Sequence, residues 1–166
     1  MAEKMLYVLA QFDHESQAKF RELQSALVKS GIIGKQTPDI PYHLTLGSFD
    51  LNQETELKKR LQMVCEGASS FEVTLSHIGL FGLNVLFLAP NVTHELLDLQ
   101  SHFAHGSRDA FEWTAHATLL LDESNKIQKA LPIVAENFKP FRARIDCVSL
   151  YEFWPVRHIS DYKLKL

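Results

Sequence analysis

His43-Leu44-Thr45-Leu46 and His116-Ala117-Thr118-Leu119 are two tetrapeptides of one form, each set in a short apolar run that reads as a strand. Side chains two apart on a strand share a face. Each tetrapeptide therefore offers an imidazole and a hydroxyl to one side, His43 with Thr45 and His116 with Thr118, while Leu44 and Leu46, or Ala117 and Leu119, point to the other. If both strands border one cleft, two imidazoles and two hydroxyls converge there. That set suits phosphate chemistry, with two proton-transfer groups that titrate near neutrality and two neutral donors for non-bridging oxygens.

With eight His and seven Thr in the chain, a single His-x-Thr would carry little weight. Looser His-x-Ser triplets begin at His14, His105 and His158, and none is followed by Leu in a strand pattern. His14 opens a helical stretch, His105 precedes Gly106 in an expected turn, and His158 lies in a polar segment; all three read as surface histidines.

An internal repeat sets the two tetrapeptides apart. Phe71 to Phe81, FEVTLSHIGLF, matches Phe141 to Tyr151, FRARIDCVSLY, at an offset of 70 residues, and His43 and His116 are offset by 73. Each tetrapeptide is thus followed at nearly the same distance by the same kind of strand, the mark of a degenerate duplication.

The element order repeats as well. Met5 to Phe12 and Asn84 to Ala89 read as strands, each followed by a helix, with apolar faces Phe20, Leu23, Leu27 and Leu96, Leu99, Phe103. Thr93 suits the N-cap of the second of these helices, with Glu95 in its first turn. The tetrapeptide strands follow, at Tyr42 to Phe49 and Thr114 to Leu121. A further helix comes after each, with stripes Leu57, Leu61, Val64, Ala68 and Ile127, Leu131, Val134, Phe138; Pro132 is expected to kink or break the latter. Arg142 to Leu166 reads as two strands joined by a turn near Pro155.

At 166 residues and 46% hydrophobic content, residues 1–166 are expected to form one compact domain of two pseudo-repeat halves, about 1–82 and 83–166. No apolar run could span a bilayer and no signal-peptide pattern opens the chain, so a cytoplasmic location is expected. Cys65 and Cys147 lack metal-ligand spacing and read as buried thiols. His102 and His105, three apart, have no acidic or Cys partner at ligand spacing, so no metal and no cofactor is expected. With a net charge of −3 and no basic run, the chain favours a small phosphate ester or an oligonucleotide end over duplex DNA.

These residues resemble the two-histidine (2H) phosphoesterase superfamily, which contains the 2'-5' RNA ligase-like proteins and cyclic nucleotide phosphodiesterases and carries a His-x-Thr/Ser-x motif in each half of a duplicated α+β fold. The resemblance covers essentially the whole chain. It implies a bilobal fold of two antiparallel sheets, helices outside, with the motifs facing each other across a central cleft. It also implies metal-independent hydrolysis of 2',3'-cyclic or related phosphodiesters by a monomer that needs no membrane, with His43 and His116 catalytic. Tyr151, Phe81 and Arg157 are candidates for the substrate rim, beside Thr45 and Thr118. His116 is assigned as base and His43 as acid. The alternatives are a 2'-5' RNA ligase, a 2'-5' oligonucleotide phosphodiesterase, or a non-catalytic nucleotide-binding module.

Overall fold

Alternation in the first strand, β1 (Met5–Phe12), sorts its side chains between two faces. Leu6, Val8, Ala10 and Phe12 join the main core, while Leu9 joins a separate small cluster with Tyr151 and Phe153 on the opposite face. The first helix, α1 (His14–Lys29), begins where Asp13 accepts a hydrogen bond from the Ser16 backbone N–H at 2.9 Å, and it lays Phe20, Leu23 and Leu27 on that core. A computed structural model describes residues 3–104 and 112–166.

The order continues β2 (His43–Phe49), α2 (Glu54–Gly67), β3 (Phe71–Phe81), β4 (Val85–Pro90), α3 (His94–Ser101), β5 (Ala117–Leu121), α4 (Ser124–Asn137), β6 (Phe141–Phe153) and β7 (Arg157–Lys163). The first five elements and the next five follow the same strand and helix order. Thr93 caps α3, its hydroxyl accepting from the Leu96 N–H at 3.2 Å. Gly47 lets the end of that helical segment approach β2, since a Cβ there would lie 2.2 Å from the Phe103 carbonyl oxygen. Helix α4 runs through Pro132 to Asn137 without ending. The ring is on the exposed side, where the lost N–H weakens only one turn while Ile127, Ala130 and Val134 hold the other face in the core.

All strand pairs are antiparallel, in the order β2-β1-β6-β3-β4-β5, with β7 also paired to β6. Two sheets are expected from the sequence, but among the described residues hydrogen bonding joins the seven strands in one sheet. The cause is β6, 13 residues long, whose first part pairs with β3 and whose remainder pairs with β1. The halves have in effect exchanged their third strands. β1 of the first half borders β6 of the second, and β4 of the second borders β3 of the first. No helix among the described residues is long and apolar enough to cross a membrane.

Candidate active site

Register fixes which side chains surround His43. Residues directly opposite on paired strands share a face. Gln11 lies opposite His43, and Leu9 opposite Thr45, so His43 and Thr45 look away from Leu44 and Leu46, which are fully in the core. Gln17 of α1 holds the approach to this strand: its amide nitrogen donates to the Tyr42 carbonyl at 2.8 Å and its oxygen accepts from the Tyr42 N–H at 2.8 Å. These bonds take up the backbone groups of Tyr42, which is why the strand starts at His43 instead.

The two motifs repeat one side-chain arrangement. Nδ1–H of His43 donates to the Pro41 carbonyl at 2.7 Å, and Nδ1–H of His116 donates to the Thr114 carbonyl at the same distance. A carbonyl can only accept, so each ring carries its proton on Nδ1 and keeps Nε2 as the basic atom. The second motif strand begins at Ala117, later than the expected Thr114, where its pairing with β4 begins opposite Leu88.

His43 and Thr118 line a single cleft together with Tyr42, Ile40, Phe153 and Trp154. His116 stands close enough to act on His43 electrostatically. Between the motifs, the Trp113 indole N–H donates to the Thr45 carbonyl at 3.0 Å. Burial lowers the pKa of His43 to about 4; the Pro41 hydrogen bond opposes the fall and the charge of His116 adds to it. His43 is therefore neutral at pH 7.

The remaining rim candidates have separate fates. Phe81 packs edge-on against His116, with ring centroids 4.7 Å apart, and Phe87 adds a second aromatic wall at 5.3 Å. Tyr151 is buried, in the small cluster with Leu9 and Phe153, its ring 5.0 Å from that of His158. Arg157 is held by two carboxylates, Glu152 at 3.0 Å and Glu54 at 2.7 Å. Of the other histidines, His14 is exposed, His158 pairs with Asp161 at 2.8 Å, and His105 lies outside the described residues. The spacing of His102 from His105 therefore lies outside them too, and no group of three potential metal ligands occurs among the described residues. Burial pushes the Cys65 thiol up to about 12 and raises that of Cys147, so both are inert thiols at neutral pH.

Three residues of this region gave no sequence signal. Gln11 is buried beside His43, and its side-chain oxygen meets no hydrogen-bond donor among the described residues. Trp154 and Thr37 form one edge of the cleft, the indole N–H donating to the Thr37 hydroxyl at 3.0 Å. A lone polar residue in a strand and a tryptophan in a hairpin turn create no periodic pattern to read.

Solved structures share the fold. E. coli LigT complexed with 3'-AMP superposes with a TM-score of 0.66 at 15% identity, over 98% of this chain and 99% of that one. TT0787 of Thermus thermophilus gives a TM-score of 0.70 at 14% identity, over 97% of this chain and 98% of that one. No curated protein sequence matches significantly. A family model, that of the 2'-5' RNA ligase superfamily, matches residues 12–153. With both His-x-Thr motifs inside the matched span, on a fold shared with LigT, the chain belongs to the 2'-5' RNA ligase superfamily, the two-histidine phosphoesterases.

Proposed function

We propose that the cleft hydrolyses 2',3'-cyclic phosphates or closely related phosphodiesters of nucleotides and RNA ends, with His43 and His116 as the proton-transfer pair and no metal ion. The observation that carries this reading is the matched pair of Nδ1–carbonyl hydrogen bonds, which gives both imidazoles the same tautomer with Nε2 as the nitrogen that exchanges protons. Because burial keeps His43 neutral, we assign it as the base and His116 as the acid, the reverse of the order assigned from the sequence.

Water bound beside Nε2 of His43 gives up a proton to that nitrogen as its oxygen bonds to phosphorus. The bond from phosphorus to one ribose oxygen breaks on the opposite side, and that oxygen takes the Nε2 proton of His116, which enters this step as the imidazolium, protonated on both ring nitrogens, and leaves it neutral with its proton on Nδ1. The hydroxyls of Thr45 and Thr118 donate to the non-bridging oxygens, where negative charge accumulates. Structures of LigT in complex with 3'-AMP, NADP+ and ATP agree with a nucleotide-sized ligand in this fold.

The test is incubation of the purified protein with the four nucleoside 2',3'-cyclic monophosphates, with and without chelator, and identification of the products. Conversion to a single nucleoside monophosphate isomer, unaffected by chelator, is the expected result. Binding without turnover would assign a non-catalytic nucleotide-binding module instead.

A further inference from the structure

The mouth of the cleft has a composition unusual for a phosphate site. Beside His43 and Thr118 it is lined by Ile40, Leu121, Phe153 and Trp154, and no Lys, Arg, Asp or Glu is among the described residues that line it. Arg157, on the strand that follows this edge, is committed to Glu54 and Glu152. An incoming polyphosphate would shed water there without meeting a cation among these described residues to replace it.

Trp154 is held in place although 56% of its surface is exposed. Its indole N–H is tied to Thr37, and its ring leans on that of Phe153 at 5.1 Å and 36°. An indole face fixed at the edge of a neutral cleft is prepared to meet a flat, uncharged surface, because stacking needs a preset plane and no particular donor or acceptor.

We propose that Trp154 is the platform for the nucleobase of the substrate, and that the neutral mouth selects a phosphodiester bearing a single negative charge over polyphosphates. This rests on the reading of the cleft as a phosphodiesterase site, and it adds the means by which that site chooses its substrate. The phosphoryl group lies with the histidines and threonines, the base lies on the indole, and no cation among the described residues lining the cleft meets a second phosphate.

The experiment compares a nucleoside 2',3'-cyclic monophosphate with methyl riboside 2',3'-cyclic phosphate, which has the same reacting group and no base. Trp154→Ala should lower kcat/KM for the nucleoside about tenfold or more, chiefly through KM, and leave the riboside within about twofold. Trp154→Phe should recover most of the loss. Adding a 5'-diphosphate to the nucleoside substrate should bring no gain for the wild-type protein. Equal losses on both substrates, no loss on either, or a gain above about threefold from the 5'-diphosphate would overturn the proposal. If the wild-type protein turned over neither substrate, the catalytic reading would fail by itself. Calorimetry would then decide the platform: wild type should bind a nucleoside 3'-monophosphate about tenfold more tightly than inorganic phosphate, and Trp154→Ala should abolish that preference. An unchanged preference in the variant would reject it.

Discussion

The indole N–H of Trp113 donates to the backbone carbonyl of Thr45, 68 residues away, so the segment leading into the second motif is bonded to the middle of the first. Spacing between the two imidazoles thus depends on a donor that lies outside both tetrapeptides. Trp113→Phe keeps an aromatic ring and removes the donor. Stability should fall by about 1 kcal/mol, the usual net worth of such a bond. Turnover should drop by about tenfold with KM little changed, because misplacing one catalytic group costs rate more than binding. Steady-state kinetics with the best cyclic nucleotide checks this.

His43→Ala and His116→Ala should each lower kcat by roughly a hundredfold or more, the scale of a positioned proton-transfer group. The double variant should lose far less than the product of the two, because the pair acts as a unit. Full activity in either single variant would remove that residue from the mechanism.

The pKa of His43 has a consequence for stability. An unfolded histidine titrates near 6.5, roughly, whereas folded His43 titrates at about 4. Between these values the unfolded chain binds more protons, so stability rises with pH. The contribution is intact above about pH 6.5 and is lost progressively as pH falls toward 4. Urea unfolding of wild type and His43→Asn across this range isolates the effect, since both share every other titrating group. The wild-type curve should fall more steeply on acidification, and parallel curves would contradict the assigned direction.

Thr45→Val and Thr118→Val keep shape and lose the hydroxyl. Each should cost about 1–3 kcal/mol of transition-state stabilisation, roughly ten- to a hundredfold in kcat. Thr→Ser should restore most of it. Because the imidazoles are untouched, the limbs of the pH-rate profile should not move.

Gln11 gives a prediction of opposite sign. Its buried side-chain oxygen meets no donor among the described residues, and an unmet acceptor costs free energy in the folded state. Gln11→Met fills a similar volume without the polar atom and should raise stability by about 1 kcal/mol, or about 2–4 °C in Tm. A fall of the same size would show that the amide is bonded in solution.

Much of the architecture was legible in the chain because its signals are periodic. The twofold alternation around His43 told which side chains share a face, and the spacing of Phe20, Leu23 and Leu27 marked the buried side of α1. The pairing of the motifs was readable for the same reason, since both recur with their flanking strands. What was not readable depends on partners distant in sequence. Arg157 has the character of a phosphate ligand, but Glu54, 103 residues earlier, holds it. The start of β5 comes later than strand propensity indicates because its pairing with β4 begins only at Ala117, opposite Leu88, and propensity does not register where a distant partner strand pairs. Joining of the sheets follows from the length of β6 and not from any local pattern.

That joining bears on how the polypeptide acquires its structure. During synthesis β1 and β2 emerge early, yet the strand that completes their side of the sheet, β6, ends at Phe153. Until then β1 exposes a row of backbone donors and acceptors along the edge that β6 will occupy, and the start of β3 waits for the same partner. A nascent chain stopped before Phe141 should therefore be sticky instead of half-folded, and acquisition of structure should come late and all at once, with the ribosome or a chaperone guarding open edges in the interval.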